Sequence, residues 1–157
     1  YDLSDFPAPF IIDETFQSNS VIIVGNDAPG TDTFAALDLS SYLQSNSLND
    51  ASIATQVERE VESIDTLNFI LIGHPCDNSL VETVFDFTCD SWPYSEGEAV
   101  ISIKNHGGDR VALLVGGTTD EDTQMAGKAL LEYDSYDWCG NEAIIRGTAD
   151  SFSVDSC

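Results

Sequence analysis

Basic residues are scarce in this sequence. Five (Arg59, Lys104, Arg110, Lys128 and Arg146) stand against 28 acidic residues, for a net charge of −23. They are scattered along the chain, which argues against binding to a nucleic-acid backbone or docking on an anionic membrane. No apolar run approaches the ~20 residues that a membrane-spanning helix needs. GxGxxG and Walker sequences, a GxSxG elbow, an EF-hand loop and a CxxC pair are all missing, so nucleotide binding, serine hydrolysis and zinc binding have no motif to rest on. There is no Asn-x-Ser/Thr acceptor for N-glycosylation either.

What is present supports a packed core. The hydrophobic fraction is 42%, and a chain of this size buries roughly 70% of the surface its unfolded form exposes. One pattern occurs three times: an apolar run, a glycine, a polar loop and helix-period sequence. The runs are Val21–Gly25, Phe69–Gly73 and Ala112–Gly116, and Asp32-Thr33 and Asp122-Thr123 follow the first and third glycines by seven and six residues. Unbroken aliphatic runs of this kind read as strands buried on both faces of a parallel sheet. Alternation over Glu98–Lys104, the turn Asn105-His106-Gly107-Gly108-Asp109 and Val111–Val115 add a β-hairpin. The expected fold is α/β: a mixed, mostly parallel sheet flanked by helices on both faces, three-layered and Rossmann-like.

Residues 1–18 form an extended N-terminal arm ahead of a single α/β domain over 19–157, because Pro7 and Pro9 disfavour a helix. Phe6, Phe10, Ile11 and Ile12 must nevertheless be covered. Two readings are open: the arm packs along its own domain, or Phe6, Pro7, Pro9, Phe10, Ile11 and Ile12 contact a neighbouring subunit. The four cysteines, Cys76, Cys89, Cys139 and Cys157, allow three pairings. Proximity favours Cys76–Cys89 and Cys139–Cys157, each worth about 3 kcal/mol in the chain-entropy treatment. Disulfides together with such strong negative charge point to an oxidising, salt-rich exterior.

Carboxylates crowd the strand-end loops, where they occupy the positive ends of helices and would repel phosphate. Asp120, Glu121 and Asp122, with Asp134 and Asp137, offer closely spaced oxygen ligands for calcium or another divalent cation; the plain reading is a solvated acidic face. His74, after a strand-end glycine, suits a metal or a general base, or else a loop histidine satisfied by backbone groups. His106 reads as an exposed turn residue. Thr31 or Asp32 is expected to cap the first helix, and the third is expected to begin after Thr118 or Thr119, with Asp122 three residues past Thr119 in a capping-box-like arrangement.

Taken together, DFPAPFI, VIIVGNDAPGTDTFAALDLSSYL, FILIGHPCDNSLVETVF, EGEAVISI and VALLVGGTTDEDTQMAGKALLEY resemble the domain of archaeal surface-layer (S-layer) proteins of methanogens and their relatives. The resemblance runs from about Asp5 to Arg146. It implies a non-enzymatic, self-assembling extracellular protein whose partners are copies of itself and other envelope components, with no cofactor required. Members of that family are generally much longer, so the chain reads as a fragment or as a subunit that polymerises alone. The alternatives are a secreted calcium-dependent adhesin or carbohydrate-binding module, and a secreted hydrolase.

Overall fold

The computed structural model describes residues 1–49 and 51–157. In chain order the elements are β1 (Ile11–Ile12), β2 (Thr15–Phe16), β3 (Ser20–Val24), α1 (Gly30–Ser45), β4 (Ala54–Val57), β5 (Asn68–Ile72), α2 (Ser79–Phe85), β6 (Glu98–Gly107), β7 (Arg110–Gly117), α3 (Asp120–Leu131), β8 (Glu142–Thr148) and β9 (Ser151–Asp155). Strands β1 and β2 make a small hairpin through Asp13 and Glu14, both at positive φ, as a two-residue turn requires. The other seven form one sheet in the order β4-β3-β5-β7-β6-β8-β9.

The expectation of a mostly parallel, Rossmann-like three-layer fold is overturned. Parallel pairing is confined to β4, β3, β5 and β7. The ladders β7–β6, β6–β8 and β8–β9 are antiparallel, as is β1–β2, so four of the seven ladders are antiparallel and the longest is β6–β7. The reason lies in the turns. Gly107 and Gly108, at φ +153° and +56°, fold β6 back onto β7, and Ala149-Asp150 folds β8 back onto β9, so hairpins replace βα units across half the sheet. More residues lie in strands than in α-helices.

The faces are also unequal. Ile22, Val24, Ile70, Ile72, Leu113 and Val115 point to one side, under α1 (Ala35, Ala36, Leu39, Leu43) and α3 (Met125, Ala126, Ala129, Leu130). Val21, Ile23, Phe69, Leu71, Ala112 and Leu114 point to the other, covered by the seven-residue α2 with irregular chain around Val61, Ile64, Phe87, Trp92 and Tyr94. Burial on both faces explains the unbroken apolar runs.

The arm packs on its own domain. Leu3, Phe6, Phe10 and Ile11 are buried in the core beneath α1 and α3. Phe6 stacks on Tyr42 and meets Tyr133, and the Tyr133 hydroxyl donates to the Leu3 carbonyl at 2.8 Å. Among the residues expected at a subunit contact, Pro9 is also buried, Pro7 is half-buried and Ile12 is exposed. No described helix is long and apolar enough to cross a membrane.

Candidate functional site

Strand β3 is flanked by β4 on one side and β5 on the other. The chain therefore leaves β3 through α1 in one direction and returns to β5 in the other. In open α/β sheets, such a reversal opens a crevice beyond the carboxyl ends of the two strands, where ligands bind. Here those ends are Gly25 and Gly73.

The chain itself fills this crevice. His74–Asn78 makes a tight turn in which the Asp77 and Asn78 amides donate to the His74 carbonyl at 2.8 and 2.9 Å. The turn lays the Asp77 carbonyl on Gly25 so closely that a Cβ there would overlap it. Asn78 is fully buried between the strands. Its Nδ2 donates to the Ile23 carbonyl at 3.1 Å and the Ile72 carbonyl at 3.3 Å, while Oδ1 accepts from the Leu80 amide at 3.2 Å. One side chain thus ties β3 to β5 and caps α2.

Asp32, in the first turn of α1, lies against the same turn. It is 1% exposed, and its Oδ2 has no hydrogen-bond partner among the described residues. A Cβ on Gly73, which sits at φ +119°, would lie 2.6 Å from that oxygen. Burial pushes the Asp32 carboxyl up to about 7, helped by the negative charges of Asp77 and Asp120. Asp77 is raised by burial and by Asp120, with His74 opposing. Neither Thr31 nor Asp32 caps α1, contrary to expectation: the cap position is Pro29, without a side-chain bond, and the buried Thr31 hydroxyl has no partner among the described residues.

A disulfide and a tryptophan close the outer side. Cys76 is bonded to Cys89, which holds the Thr88–Trp92 turn over the strand ends. Trp92 donates from Nε1 to Thr118 Oγ1 at 2.9 Å, packs 4.9 Å from the His74 ring, and lies where a Cβ on Gly116 would touch it at 3.2 Å. His74 Nδ1 accepts from the Cys76 amide at 3.0 Å, and burial lowers its pKa. This matches the backbone-satisfied reading of His74. His106 is not an exposed turn residue: it lies in β6, bonds the Leu67 carbonyl at 2.8 Å and packs on Phe69.

The five acids expected to ligate a cation fall in two places. Asp120, Glu121 and Asp122 form the first turn of α3, whereas Asp134 and Asp137 lie past its end, about 18 Å away for a twelve-residue helix. Asp122 is committed elsewhere, its Oδ2 accepting from the Thr119 and Gly97 amides at 3.1 Å each, with Thr119 Oγ1 accepting from the Asp122 amide to complete the capping box. Among the described residues, no group of three or more His, Cys, Asp or Glu side chains is arranged to hold a metal ion. The acids whose charges act on one another are Asp32, Asp77 and Asp120, which chain order separates. The second disulfide joins Cys139 to Cys157 and fixes the end of β9 beside Trp138, whose Nε1 donates to the Tyr133 carbonyl.

Compared with known proteins, the chain matches no family model, and no curated relative matches it.

Proposed function

We propose that the chain is a structural, self-assembling extracellular protein, a subunit of an archaeal surface layer or cell-surface filament. The observation that carries this reading is the filled crevice. Where a sheet with this strand reversal would receive a ligand, Asn78, the Asp77 carbonyl and Trp92 occupy the space and are bonded in place. Two disulfides fit an oxidising exterior, and the net charge of −23 fits a medium rich in salt or divalent cations. The resemblance to archaeal surface-layer domains points the same way. Divalent cations act in this reading as bridges between acidic surfaces of neighbouring copies, without a dedicated cage. Electron microscopy of the purified protein, with and without calcium in molar salt, tests it. Ordered sheets or filaments are expected; isolated particles under every ionic condition would refute it.

A further inference from the structure

The seven-stranded sheet ends in β4 and β9, each paired to one neighbour. An edge strand presents every second N–H and C=O outward, and soluble proteins usually blunt such edges with charges, prolines, bulges or cover. Those devices are sparse here. Ala51–Val57 has neither charge nor proline in a chain with 28 acids. Strand β9 has no proline and one charge, Asp155, whose carboxylate accepts from Arg146 Nη1 at 3.2 Å. Both edge ladders run without a register shift. Both edges leave main-chain bonding capacity open, and acids flank them (Glu58 after β4, Asp150 before β9), so pairing between copies needs those charges screened by salt.

Their directions are complementary. Strand β4 runs with β3, β5 and β7, β6 against them, β8 against β6 and β9 against β8; β9 therefore runs opposite to β4. A second copy displaced sideways, with its faces unchanged, sets its β4 antiparallel to β9 of the first. The faces match as well. Val57 belongs to the α1–α3 side of the sheet, as do Phe152 and Val154. Beside β9 on that side lies an open groove of about 510 Å³, lined by Leu131, Tyr136 and Phe152 together with Lys128, Glu132 and Asp150. Thr55 and Val57 of an added strand would extend over it, giving side-chain contact in addition to the main-chain ladder.

We propose that β9 of one copy pairs antiparallel with β4 of the next, so that the sheet continues from subunit to subunit. This rests on the self-assembly reading above. The contact joins two different surfaces and does not close on itself, so it produces rows or filaments.

The test uses three double variants, each adding two glutamates at exposed positions: Ala54→Glu with Thr55→Glu on β4, Ser151→Glu with Ser153→Glu on β9, and Thr33→Glu with Thr83→Glu as a charge-matched control. Thermal unfolding checks that each is folded, and sedimentation velocity in molar salt follows assembly. Each edge variant is expected to stay monomeric at concentrations at least about tenfold above those at which the wild type assembles, while the control polymerises. An equimolar mixture of the two edge variants should form heterodimers through the one intact edge of each, and nothing longer. Polymerisation of a folded edge variant, self-dimerisation of the β4 variant through β9, or a mixture that stays monomeric would overturn the pairing while leaving self-assembly standing. A wild type that never assembles would instead overturn the reading beneath it, and the pairing with it.

Discussion

The carboxylate of Asp32 lies against the Cα of Gly73, so close that a methyl group on Gly73 would come within 2.6 Å of Oδ2. The first helix is thereby seated on the turn after β5, and Asp32 Oδ2 is buried at the seam with no hydrogen-bond partner among the described residues. Burial of an acid without a bond costs stability whenever the acid is ionised.

The sign of the pH effect follows. Asp32 titrates near 3.8 in the unfolded chain and at about 7 when folded. Its contribution is fully present below pH about 4 and is lost as pH rises through about 7. Asp32→Asn removes the titration, so its Tm should exceed the wild type's at pH about 8, by about 2–4 °C for each kcal/mol recovered. The difference should shrink as pH falls toward about 4. A difference independent of pH would contradict a buried, raised acid.

Filling the crevice demands small residues at fixed points. Gly25→Ala forces a methyl into the Asp77 carbonyl and should cost about 3 kcal/mol or more. Asn78→Ala leaves the Ile23 and Ile72 carbonyls without this donor and should cost at least about 2 kcal/mol. Denaturant titration measures both, and wild-type midpoints would contradict the plug.

Deleting the Cys76–Cys89 bond by Cys76→Ser with Cys89→Ser should lower stability by about 3 kcal/mol and loosen Trp92 from the strand ends. A red-shifted tryptophan emission before global unfolding is the expected signature, since the other tryptophan, Trp138, stays stacked on Tyr133. An unchanged spectrum would show that Trp92 is held without the disulfide.

The N-terminal arm should behave as core. Phe10→Ala removes a fully buried ring and should cost about 3–5 kcal/mol. Stability within about 0.5 kcal/mol of the wild type would mean that the ring lies elsewhere in solution.

Much of the architecture was legible because strand period and helix capping are local. The doubly buried runs, the β6–β7 hairpin and the Thr119–Asp122 capping box are all set by residues a few positions apart. Strand direction across the sheet is not local. The three similar segments suggested three parallel units, but nothing within them says that α3 leads to a strand beside β6 or that β9 follows. Ser151–Asp155 alternates Phe and Val with polar residues, a strand signal masked by its polarity and its place near Cys157. The Asp32–Asp77–Asp120 grouping was hidden for a similar reason, since its members lie on three separate units. Asn78 carried a legible signal, a helix cap, but its bonds to two strand ends arise only in the folded chain.

Whether copies of the protein associate is decided by sedimentation velocity of the wild type across a concentration series, in molar salt with and without calcium. Species that grow with concentration beyond the 17.0 kDa chain are expected, and they should shrink when salt or calcium is withdrawn and carboxylate repulsion is unscreened. A single 17.0 kDa species at every concentration and ionic condition would contradict self-assembly.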